Sequence, residues 1–160
     1  MFYRKQNYLL IIAAVIAITC SFLLVWKKID PDNGFTYFLY PWKVCELNDH
    51  GEIINLIYFP YLGIGMLGLF NIFLNFYILL WYSNLMLQKK FCMMLMLVDM
   101  TQLVFCFLFA EKIEKIWLPY IKGQWGLDII FILVDALLHL LSFIFIQNDI
   151  KLLRSSKRFR

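Results

Sequence analysis

The chain has 160 residues, 62% of them hydrophobic and 16% charged, with a formal net charge of +4. Soluble domains average roughly 45–50% apolar and 25% charged residues, so the composition excludes an ordinary soluble protein and describes an integral membrane one. The 15 Lys and Arg fall between and beyond the apolar runs, which is a topology code and not a nucleic-acid footprint.

Residues 8–26 read as a first membrane span, preceded by Arg4 and Lys5 and closed by Trp26, Lys27 and Lys28 as an interfacial anchor. A cleaved signal is disfavoured because Thr19 is bulky for a cleavage box and the apolar run continues past it. Asp30-Pro31-Asp32-Asn33-Gly34 then stops the helix with turn chemistry. Residues 35–59 change texture, with aromatic and β-branched runs around Asn48-Asp49-His50-Gly51, and this predicts a β-hairpin or small sheet outside the bilayer. Pro41, lacking an N–H, is expected at an edge or bulge.

The second span is expected over residues 61–82. It opens with Gly63, Gly65 and Gly68, small residues that let membrane helices approach closely. The letters fit a nucleotide-binding glycine pattern, but no βαβ context surrounds them. A loop over 83–90 leads to a third span at 91–110. Residues 111–126 are expected to include a short amphipathic helix on the membrane surface, with Trp117, Tyr120 and Trp125 at the interface. The fourth span is expected over 127–147, followed by a basic tail at 148–160 carrying Lys151, Arg154, Lys157, Arg158 and Arg160. That tail reads as a topology anchor or as a surface helix on an anionic leaflet, with Ile146, Ile150, Leu153 and Phe159 as its apolar edge. The whole is one integral membrane domain, residues 1–160.

Nine Lys and Arg lie at the N-terminus, the middle loop and the tail, against six in the other two loops. The positive-inside rule then places both termini in the cytoplasm and the strand-rich loop at 27–60 outside. With that orientation, a rise of about 1.5 Å per residue puts Asn71, Asp99, Asp135 and His139 about 12–18 Å below the outer ends of their spans. Asn75 lies one turn from Asn71 on the same face. These five form an intramembrane polar layer. A carboxylate at such depth costs roughly 2.5–3.5 kcal/mol unless it is protonated, paired or wet. The layer reads first as interhelical glue and second as a proton or ion relay.

Of the four cysteines, Cys20, Cys92 and Cys106 fall in apolar runs and Cys45 in a loop, so neither a disulfide framework nor a metal site is expected. The two histidines, His50 and His139, are too far apart in sequence to read as a metal cluster. No cofactor is expected. No serine has a base beside it in a loop, so nothing reads as catalytic.

Arg4 and Gln6 before the first span, Leu87-Gln88-Lys89 before the third, and Asp149, Lys151, Leu152, Arg154, Ser155, Arg158 and Arg160 in the tail together resemble a family of small inner-membrane proteins of Bacteroidota, domain of unknown function 4293. The family usually carries an acidic residue where this chain has Lys157, and the departure makes the tail more basic. The resemblance implies an inner-membrane location and an all-α fold, a bundle of four transmembrane helices, without implying an activity. The layout, with a small extracytoplasmic sheet between helices 1 and 2, also looks claudin-like, a likeness of architecture alone. The function expected is that of a non-enzymatic accessory or scaffold subunit of a larger inner-membrane complex for protein export, envelope or energy-coupled work. Its expected partners are the bilayer, other integral membrane subunits and anionic lipid at the tail, with no nucleic acid. The alternative is a small proton- or ion-coupled transporter or channel component using Asp99, Asp135 and His139.

Overall fold

The computed structural model describes residues 5–30, 34–81, 83–117 and 123–158. Four helices, α1 (Lys5–Cys20), α2 (Leu62–Leu80), α3 (Leu85–Trp117) and α4 (Asp128–Arg158), carry a small antiparallel sheet at one end. α1 packs against α2 and α4, and α3 packs against the same two, which closes an up-down ring. Among the described residues, three helices are long and apolar enough to cross a membrane: Leu62–Leu80, Leu85–Lys115 and Asp128–Ser155. The chain is a membrane protein. α1, with 16 residues, is about 24 Å long at 1.5 Å per residue.

The first helix stops earlier than hydropathy alone predicts. Thr19 Oγ1 and Ser21 Oγ donate back to the carbonyls of Val15 and Ala17, at 2.8 and 3.2 Å, and such back-bonding competes with regular helix continuation. The amides of Ser21, Phe22 and Leu23 then bond three residues back, tightening the exit. Trp26 and Lys28 therefore belong not to a span and its interfacial anchor but to β1 (Trp26–Ile29), where both are buried. An apolar run such as Leu23-Leu24-Val25-Trp26 has no periodicity that separates helix from buried strand.

β2 (Thr36–Leu39), β3 (Val44–Leu47), β4 (Ile53–Ile57) and β5 (Gln124–Trp125) complete a five-stranded sheet of order β4-β3-β2-β1-β5. The turn between β3 and β4 is the predicted one: Asn48 Oδ1 accepts the amides of His50 and Glu52, and Gly51 supplies a φ of +77°. Pro41 sits in neither an edge nor a bulge. It occupies the tight β2–β3 turn, closed by Tyr40 and Lys43 exchanging backbone bonds, where its missing N–H costs no ladder bond. The register irregularity lies instead between Glu46 and Leu47, opposite β4. The sheet is also not confined to the loop between α1 and α2, because β5 arrives from the α3–α4 connection and pairs Trp26 with Trp125.

That connection departs from the predicted surface helix. α3 starts at Leu85, capped by Asn84 Oδ1 accepting from Leu87 N at 3.1 Å, and runs unbroken to Trp117. The Glu111–Lys115 pair at 2.6 Å lies on its extension, where spacing i, i+4 supports a helix, and Ala110 and Ile113 are buried beneath the sheet. Tyr120 lies outside the described residues, as does the side chain of Trp117. Trp125 is exposed and meets Phe107 edge-on at 4.8 Å. The tail is likewise no separate surface helix through residue 158. α4 continues to Arg158, and its 31 residues make about 46 Å, some 15 Å more than the hydrocarbon core requires. Ile146 is buried in the bundle and Ile150 partly so. Phe159, Arg160 and the side chains of Lys157 and Arg158 lie outside the described residues.

Two apolar clusters hold the molecule. One joins the inner sheet face (Trp26, Tyr37, Leu39, Val44) to Ile64, Cys106 and Ile132, and the other joins Leu10, Ile78, Cys92, Leu95 and Ile146 at the opposite end. At full burial each large side chain contributes about 1.5–3 kcal/mol. Between the clusters lies a polar layer.

Candidate functional site: a buried Asp–His–Asn cluster

Asn71 and Asn75 on α2, Asp99 on α3, and Asp135 and His139 on α4 come together in the bundle, each at most 2% exposed. The i, i+4 spacings on α2 and α4 put each pair on one inward face. Asp99 approaches from the antiparallel neighbour, and the five residues meet in one buried cluster.

The amides fix the direction of the hydrogen bonds. Asn75 Nδ2 donates to Asn71 Oδ1 at 2.6 Å, which turns Asn75 Oδ1 toward His139. Being an acceptor, that oxygen takes the ring's Nε2–H at 3.1 Å. Asn71 Nδ2 donates to Asp99 Oδ1 and, at 3.4 Å, to Asp135 Oδ2. His139 Nδ1 faces Asp99 Oδ2 at 2.7 Å, so one proton is held between them, as an imidazolium–carboxylate or an imidazole–carboxylic acid pair. Either way the pair is neutral. Asp135 Oδ1 has no hydrogen-bond partner, and the cluster as a whole is neutral only with a proton or another positive charge at Asp135.

Several neighbours escape a sequence reading. Ser142, one turn past His139 on α4, is fully buried with an unpartnered hydroxyl; its i, i+3 spacing was the available signal. Gln102, one turn from Asp99, is buried near Gly68, whereas Thr101 faces outward and bonds to Leu97 O at 2.8 Å. Gln6 Nε2 donates to Asp149 Oδ2 at 3.1 Å, tying the start of α1 to the end of α4.

The glycines divide. A Cβ on Gly68 would stand 3.6 Å from Gln102 and 3.7 Å from Ser21, so Gly68 lies where α2 faces α3 and the exit of α1. Gly65 admits the indole of Trp42, which a Cβ would meet at 2.5 Å, and so serves a helix-to-turn contact instead of a helix pair. Gly63 has nothing nearer than 3.9 Å. All four cysteines are free and buried, Cys45 included, since it lies in β3 and not in a loop.

Outside the membrane-spanning segments, Lys28 is buried at the sheet's inner face, where burial lowers its pKa while the charges of Glu114 and Asp30 oppose the shift. Tyr37 donates to Glu46 Oε1 at 3.2 Å; burial, reinforced by that carboxylate, pushes its pKa up to about 12. In the basic region, Arg154 and Leu153 line a cleft with Ser83, Asn84, Leu85 and Met86 at the bundle end opposite the sheet, and Lys89 lies 5.1 Å from the Phe143 ring centre. Lys151 is exposed on the same stretch of α4.

No curated protein matches the chain. A family model described as Domain of unknown function (DUF4293) matches residues 2–159, and the chain, with its helical bundle, terminal sheet and buried Asp–His–Asn cluster, belongs to that family.

Proposed function

We propose that this is a non-enzymatic accessory subunit of a bacterial inner-membrane complex. In this reading α1 is the fourth span, both termini are cytoplasmic, and the sheet stands outside. The observation that carries it is exposed apolar surface on the sheet, at the end of the helical bundle. Phe38, Tyr40, Leu47 and Ile53 line a shallow groove on the outer sheet face with Lys43 and Cys45, and Ile53 and Ile54 are more than half exposed on the edge strand β4. β4 runs into α2, so at about 3.4 Å per residue Ile53 stands roughly 13 Å beyond Ile57. Exposed apolar surface of this kind, next to an edge with unpaired backbone groups, marks a docking surface. The partner class is the extramembrane part of another membrane subunit.

The bundle end away from the sheet carries Lys5, Lys89, Lys90, Lys151 and Arg154, which supports its cytoplasmic assignment. The Arg154 cleft supports contact with anionic lipid there. Purification in mild detergent at native expression, followed by mass spectrometry, tests the proposal. A co-purifying membrane subunit is expected, lost in Phe38→Glu and Ile53→Glu variants; a lone monomer overturns the reading.

One observation favours a second reading, a proton- or ion-coupled component: a shared proton on Asp99–His139 beside an unpartnered Asp135 oxygen. Proteoliposome flux abolished by Asp99→Asn and Asp135→Asn would support it, and flux indifferent to both would end it.

A further inference from the structure

We propose that Asp99, Asp135 and His139 form a binding site for one divalent transition-metal ion of the zinc class, inside the bundle and exchanged for protons. This goes beyond the docking reading and stands or fails apart from it. It also departs from the sequence expectation of no metal, because only Asp135 and His139 are close in sequence, one turn apart on α4, while Asp99 comes from α3.

Three observations carry the site. First, one donor atom from each of the three residues lies within 4.8 Å of the others. Ligands sharing a zinc ion at bonds of about 2.0–2.2 Å stand roughly 3.3 Å apart, so closing on an ion asks for inward movements on the order of 1 Å. Second, the surrounding groups orient the ligands as metal sites require. Metal-bound imidazoles donate their other ring N–H to an oxygen, and His139 Nε2 faces Asn75 Oδ1 at 3.1 Å, which leaves Nδ1 for the ion. Asn71 Nδ2 donates to both carboxylates and holds them side by side. Third, Asp135 is 2% exposed, yet its Oδ1 lacks any partner. A buried carboxylate oxygen without a donor is destabilising, and a cation removes that cost.

The charges balance. In the proton-loaded state one proton lies between Asp99 and His139 and a second on Asp135. Binding M²⁺ expels both to solvent, leaves two carboxylates and a neutral imidazole that keeps its Nε2–H, and the cluster is neutral before and after. A mixed imidazole and carboxylate set favours zinc, cobalt or manganese over magnesium or calcium.

The test titrates tag-free, chelator-stripped protein in detergent with Co²⁺, then Zn²⁺, with Mg²⁺ as comparison. Expected are saturable binding of one Co²⁺ per chain with visible d–d bands, displacement by Zn²⁺ but not by Mg²⁺, and release of about two protons per ion. Asp99→Asn and Asp135→Asn should each weaken binding tenfold or more, while His50→Ala on the exposed turn leaves it unchanged. Absence of saturable binding, a thiolate charge-transfer band, or affinity unchanged from the parent in both Asp variants overturns the proposal. If a variant fails to fold, the parent's proton count decides: about two supports the site, and none overturns it.

Discussion

Asn71→Leu is the most informative single change in the bundle. The side chain is the hub of the polar layer: its amide nitrogen serves Asp99 and Asp135, and its oxygen accepts from Asn75. Leucine is close to asparagine in size, so the perturbation removes three hydrogen bonds while leaving the volume nearly filled. At about 0.6 kcal/mol for an average bond between membrane helices, the three are together worth about 2 kcal/mol. Each buried polar atom left without a partner adds to that, and burial penalties of about 1–3 kcal/mol per group raise the expected loss to roughly 2–5 kcal/mol. The assay is reversible unfolding in mixed detergent followed by circular dichroism. Thr101→Ala is the control, since its hydroxyl bonds only its own helix on an exposed face, and it should cost under about 0.5 kcal/mol. A loss for Asn71→Leu no larger than the control's would refute the claim that the layer ties three helices together.

Gly65→Ala should cost about 1–3 kcal/mol by overpacking, because its Cβ would meet the Trp42 indole at 2.5 Å and Trp42 is itself held by its Nε1–H on Ser21 O at 2.7 Å. Gly63→Ala, with nothing nearer than 3.9 Å, should instead be neutral or stabilise by up to about 1 kcal/mol through helix propensity, and the same unfolding assay ranks the two. Gln6→Ala should cost about 1 kcal/mol and speed proteolysis at the N-terminus, since it frees the start of α1 from Asp149. Tyr37, with its pKa raised to about 12 by burial, contributes stability that is full below the unfolded tyrosine value of about 10 and is lost as pH rises to about 12. That loss amounts to about 2–3 kcal/mol, and Tyr37→Phe should flatten this part of the stability profile.

Hydropathy and helical spacing along the sequence pointed to the apolar helices and to the five polar residues that meet inside the bundle. Both are local properties, because a helix rises by a fixed amount per residue and i, i+4 neighbours share a face whatever surrounds them. The β3–β4 turn was legible for the same reason, as Asn48 and Gly51 act within their own loop. Only the tertiary structure decided the end of α1. The run from Leu23 to Trp26 is as apolar as the helix before it, and it becomes chain leading into strand because β2 and β5 stand ready to pair with β1. It also decided that α3 runs on beside the sheet, where Ala110 and Ile113 find cover, and that Gly65 faces Trp42. Within the polar layer, sequence placed the groups at one depth, but which atom meets which depended on the packing of α2, α3 and α4. The proton between Asp99 and His139, and the bare oxygen of Asp135, arise from that packing because the partners are 40 and 64 positions apart in the chain.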